Sequence, residues 1–89
     1  MLEAVEKRIT ELLEASGGSV TDLKVAVEHD VEKPDFKGDL YKAEAVVGGK
    51  PTPLVSWTVG ELFKDDPSIV TPTAERLVER MLENQGEAE

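Results

Sequence analysis

Apolar side chains recur at helical spacing from the first residues. In "LEAVEKRITELLEA", residues 2–15, Leu2, Val5, Ile9, Leu12 and Leu13 share one stripe, and Glu3, Lys7, Glu11 and Glu14 take the opposite side. That pattern predicts an amphipathic helix. Glu3 and Lys7 add a favourable i,i+4 pair. "SGGS" then ends the helix, because glycine adopts the left-handed cap conformation at little cost.

From Asp22 to Val31 the period changes to two. Leu23, Val25, Val27, His29 and Val31 alternate with Asp22, Lys24, Ala26, Glu28 and Asp30, which predicts a half-buried strand. "EKPDFKGD", residues 32–39, reads as a loop. A second strand is expected from Leu40 to Val47 and a third from Leu54 to Val59, with the odd-numbered residues of all three strands inward. The small Ala43 and Ala45 leave room for a helix, while Tyr41 and Trp57 fill the other end of that layer. Trp57 is thus expected in the core, under a helix.

Leu77, Val78, Met81 and Leu82 form the inward stripe of a last helix. Thr71 is its expected cap, Pro72 its first residue and Gly86 its end. Leu62 and Phe63, with Ile69 and Val70, are expected to pin the connection before it to the core, and Asp66-Pro67 to open a short extra turn. The order is α-β-β-β-α. The predicted fold is a single α+β domain over 1–89, with a frayed tail at 85–89. It is a two-layer sandwich whose three-stranded antiparallel meander carries both helices on one face.

This element order resembles that of the double-stranded RNA-binding domain. That family grips RNA phosphate with a lysine-rich start to its last helix. The corresponding stretch here, "TPTAERLVER", has no lysine, so RNA binding is not expected. Charge agrees: 10 basic against 19 acidic residues give a net charge of −9, which repels phosphate backbones and anionic membranes and favours basic partners or plain solubility.

"VVGGKPTPLVSW", residues 46–57, has the glycines and lysine of a phosphate loop. A P-loop needs Ser or Thr after the lysine and a helix to follow. Here Pro51 follows Lys50, and another strand comes next. Gly48 and Gly49 therefore read as a hairpin turn, and Pro51 and Pro53 as the unpaired start of an edge strand. His29, the only histidine, is a general-base or pH-switch candidate but has no nucleophile arranged around it, so a rim position is expected, with the ring packed under a helix or loop and bonded to backbone. One histidine and no cysteine cannot supply the usual zinc ligands. Asp30, Glu32, Asp35 and Asp39 lack EF-hand spacing and read as a solvated acidic loop. No cofactor is expected.

Two surfaces remain. Glu75, Glu79 and Glu83 line one edge of the last helix, an edge that Glu11 and Glu14 of the first helix are expected to extend, with Arg76 and Arg80 along its other edge. The outer sheet face carries Leu40, Val46 and Leu54 among charges, a possible contact patch. The expected function is a small acidic, non-enzymatic protein-binding module, an inhibitor or accessory protein docking on a basic partner protein and not on nucleic acid or membrane. The alternative is a homo-oligomeric subunit joined through the outer sheet face or a strand edge. A ligand-binding or catalytic domain around His29, Tyr41 and Trp57 comes third. The absence of cysteine, of a leader pattern and of a spanning segment suggests the cytoplasm.

Overall fold

Two amphipathic helices cover one face of an antiparallel sheet. The computed structural model of the chain describes residues 1–87. The elements are α1 (Leu2–Ala15), β1 (Val20–Lys33), β2 (Phe36–Val47), β3 (Lys50–Pro51), β4 (Val55–Gly60), a 3-10 turn at Pro67–Ile69 and α2 (Val70–Glu87). The expected α+β sandwich is present. β2 is its central strand, with β1 on one side and β3 and β4 in succession on the other.

The third strand of the meander is therefore split in two. Thr52 causes the break: its N–H reaches the Ala45 carbonyl at 2.7 Å, and its hydroxyl accepts the Ala45 N–H at 3.0 Å. Regular pairing resumes at Ala43 opposite Val55. Gly48 and Gly49 make the β2–β3 turn with φ of 60° and 82°, the positive values that a tight hairpin requires. Pro51 is not unpaired as expected, since it lies opposite Val46.

Residues 32–39 are not a loop. β1 and β2 form a long hairpin closed by Pro34 and Asp35, with Lys33 opposite Phe36. β1 keeps this pairing with two bulges, between Thr21 and Lys24 and between Glu28 and Val31. Each holds an aspartate in the left-handed region, Asp22 at φ 51° and Asp30 at φ 55°; aspartate tolerates this better than most residues. Each bulge reverses the side-chain parity of β1. Val31, expected inward, thus lies opposite Gly38 on the outer face.

Within β2 and β4 the odd residues face the helices as expected. Tyr41, Ala43, Val55 and Val59 are buried with Val5, Ile9 and Leu13 of α1 and Ala74, Leu77 and Met81 of α2. Complete burial of a side chain of Leu or Ile size contributes about 1.5–3 kcal/mol. Ala43 is fully buried because the helices approach the sheet closely over its single methyl.

Three expectations about the second half need correction. Leu62 and Phe63 do not pin the connection, being 91% and 56% exposed; Ile69, which is buried, and Val70, which packs against the core, do so as expected. The helical start is not capped by Thr71. Asp66 caps the 3-10 turn through the Ser68 N–H at 2.9 Å, Pro67 follows, and the turn runs directly into α2. Nor does the helix end at Gly86 or fray from 85, because α2 continues to Glu87. The Gln85 amide donates to the carbonyls of Val47 at 3.1 Å and Lys50 at 2.8 Å, fastening α2 to the glycine turn. Of the expected tail, residues 88–89 lie outside the described residues.

Candidate functional site

The helices run parallel, and this sets the electrostatics of the molecule. α1 ends beside the glycine turn: the Gly48 N–H bonds the Ser19 carbonyl at 2.9 Å, in the segment that joins α1 to β1. Gln85 brings the end of α2 to the same place. Both negative helix termini thus point one way, each equivalent to about half a unit of negative charge. Neither helix carries a basic residue in its last turn. On α1 Glu14 lies in the last turn and Glu11 just before it; on α2 Glu83, Glu79 and Glu75 lie roughly one, two and three turns before its end at Glu87.

All five glutamates are exposed. Glu11 meets Arg8 at 3.8 Å and Glu79 meets Arg76 at 3.6 Å. Glu14, Glu75 and Glu83 make no ion pair among the described residues. An acidic group in the last turn of a helix opposes the dipole at a cost of ~0.3–1 kcal/mol at low salt, which applies to Glu14.

Beside this acidic end, a groove of about 400 Å³ is lined by Trp57, Arg76, Glu79, Arg80, Glu83 and Asn84. Trp57 does face the helices but is not core. It is half-buried, with the guanidinium groups of Arg76 and Arg80 at 5.6 and 5.3 Å from its ring centre. Tyr41, directly opposite on central β2, takes the interior position. Trp57 lies on edge strand β4, where Arg76 and Arg80 of α2 lie over its ring. Arg80 also donates to the Ser56 carbonyl at 3.0 Å.

The other end of the sheet gathers the titratable groups. Asp39, placed by sequence in a solvated loop, is 2% exposed on β2. Its carboxylate accepts the Asp30 N–H at 3.2 Å and meets His29 Nδ1 at 3.1 Å. His29 lies at the rim, but its ring is not tucked under a helix or loop and bonded to backbone as expected: its side chain is 67% exposed and meets the Asp39 carboxylate. Lys64 bonds the Asp30 carboxylate at 2.8 Å. That contact holds the Asp30 carboxyl below its ordinary range and raises the Lys64 ammonium. Burial, then the charges of Asp39 and Asp65, push the Tyr41 phenol upward. His29 and Tyr41 thus share a neighbourhood around Asp39, while Trp57 belongs to the α2 groove. Among the described residues no cluster of histidine and carboxylates could hold a metal. The only sequence signal for Asp39 was its odd number on β2, hidden by the loop assigned over residues 32–39.

The outer sheet face is divided. Leu40 borders a groove of about 410 Å³ with Val31, Phe36 and Thr58, and Val46 borders another of about 290 Å³ with Lys24, Glu44 and Pro51. Six residue steps along one strand separate Leu40 from Val46, about 20 Å at strand rise. Leu54 sits in the break before β4, 60% exposed. No family model matches the chain, and no curated protein or solved structure is similar to it. Among the described residues no helix is long and apolar enough to cross a membrane.

Proposed function

We propose that the protein is a small binding module that docks on a basic partner protein through the acidic end of its helix layer. One observation carries this reading: two parallel helices direct their negative termini to one place with no basic residue in either last turn, and exposed Glu14, Glu11, Glu83 and Glu79 line the approach to it. Glu14 in the last turn of α1 opposes the helix dipole, and a positively charged partner would be attracted to both the carboxylates and the termini. Exposed charges of this kind mainly raise association rates and discriminate against wrong partners. The same field disfavours nucleic acid and anionic lipid.

The module works without catalysis in this reading. His29 and Asp39 form a pair, and no serine or threonine hydroxyl bonds to His29 among the described residues. The lack of cysteine is compatible with the cytoplasm. The test is affinity capture from an extract of the source cells with the native chain and with a Glu75→Lys, Glu79→Lys, Glu83→Lys variant. A basic protein held by the native chain, eluted by salt and lost by the folded variant supports the reading. Equal capture by both chains contradicts it.

A further inference from the structure

The two lateral edges of the sheet differ in how they are protected. The β3–β4 edge is interrupted by Pro51 and Pro53, and the Arg80 guanidinium occupies its Ser56 carbonyl. β1 forms the opposite edge, fourteen residues long and paired with β2 alone. Its bulges at Asp22 and Asp30 bend the ends, which blunts an edge. Between them, Lys24-Val25-Ala26-Val27-Glu28 runs in unbroken register. Among the described residues, no backbone bond outside the β1–β2 ladder reaches this stretch.

The stretch is self-complementary about Ala26. In an antiparallel pair centred there, Lys24 meets Glu28 of a second copy, Val25 meets Val27, and Ala26 meets Ala26. Reflection about residue 26 preserves parity, so each edge-facing N–H finds an edge-facing C=O whichever alternate set points outward. Asp22 and Asp30, equidistant from Ala26, end the pairing symmetrically. The inward row agrees: Leu23, Val25 and Val27 are only half-buried, the open flank of the core. A second copy would cover that flank. The local charge of the stretch is zero, although the whole chain carries −9.

We propose that the free edge of β1 pairs with β1 of a second copy on a two-fold axis through Ala26, joining two sheets into one. This isologous contact leaves the acidic helix end free, so it stands or falls separately from the docking reading.

Sedimentation of the native chain in about 0.15 M salt, where long-range repulsion is screened beyond ~8 Å, should show reversible association to twice the 9.7 kDa monomer. Lys24→Glu turns two attractive cross-strand pairs into two repulsive ones and should weaken the dimer at least ~10-fold. Glu28 also pairs with Lys42 of its own chain at 3.3 Å, so the charge-swapped Lys24→Glu, Glu28→Lys chain, with native circular dichroism as its control, should recover the dimer. The chain has no cysteine, so register can be read by oxidation. Ala26→Cys should cross-link to itself, because paired Cα atoms lie ~4.5–5.5 Å apart. Lys24→Cys and Glu28→Cys should cross-link only when mixed. A monomer persisting at about 1 mM chain overturns the proposal, being weaker than any useful affinity. So does a dimer unchanged by Lys24→Glu in a chain whose circular dichroism is native, or cross-linking of Lys24→Cys to itself.

Discussion

The Asp39 carboxylate accepts the backbone N–H of Asp30 at 3.2 Å, so a buried acid on the central strand holds the bulge of its neighbour. The bulge places Asp30 at positive φ, orients His29 toward Asp39 and turns Val31 to the outer face.

Removing that carboxylate should cost stability. Asp39→Ala leaves the Asp30 N–H without its acceptor and is expected to cost about 1–3 kcal/mol. Asp39→Asn keeps one acceptor oxygen and should cost less. Urea unfolding checks the order of the variants, and amide exchange at Asp30 should accelerate in Asp39→Ala. Equal stability of all three chains contradicts this role.

The Asp30–Lys64 contact gives a pH signature. The Asp30 carboxyl is depressed from 3.8, so its contribution is fully present above that value and is lost as pH falls through the lower folded value. The Lys64 ammonium is raised from 10.5, so its contribution is present below that value and is lost as pH rises through the higher folded one. The native chain should therefore be slightly more stable than Lys64→Met between these limits, and the difference should vanish at either extreme. Thermal unfolding across pH checks this; a difference persisting at pH well below 3.8 contradicts it.

Trp57 should report on Arg80. Arg80→Ala removes a guanidinium over the indole and the bond to the Ser56 carbonyl, a loss of about 1–2 kcal/mol. Iodide should quench the tryptophan emission more strongly in the variant than in the native chain. Unchanged quenching would place the ring elsewhere.

Much of the fold was legible because periodicity follows burial. Val5, Ile9 and Leu13 on α1 and Tyr41, Ala43 and Val59 in the sheet lie where the pattern puts them. The pattern failed where backbone geometry overrides it. A bulge at Asp30 shifts parity without altering composition, and a single Pro-Asp turn carries charges that read as a loop. The exposed glutamates were visible in sequence, but the parallel direction of the helices was not, since it depends on how the sheet is wound. The Asp39 pairing was hidden for the same reason: His29 and Asp39 meet only across the β1–β2 register.

The segment after β4 offers a contrast between apolar residues of similar kind. Leu13→Ala, in the core, should cost about 2–5 kcal/mol. Leu62→Ala should be nearly neutral, within ~0.5 kcal/mol, because the side chain is 91% exposed. Denaturant midpoints decide; a large loss at Leu62 would mean that this segment docks on the core after all.

The central claim is that the acidic helix end recruits a basic partner. The most direct measurement is the association rate of the captured partner with the native chain and with the Glu75→Lys, Glu79→Lys, Glu83→Lys variant, followed from ~0.05 to ~0.5 M salt, where screening tightens to a few Å. The account predicts a native rate that falls steeply with salt and a folded variant whose rate is slower and rises or stays flat. Identical rates and identical salt slopes for the two chains would contradict it.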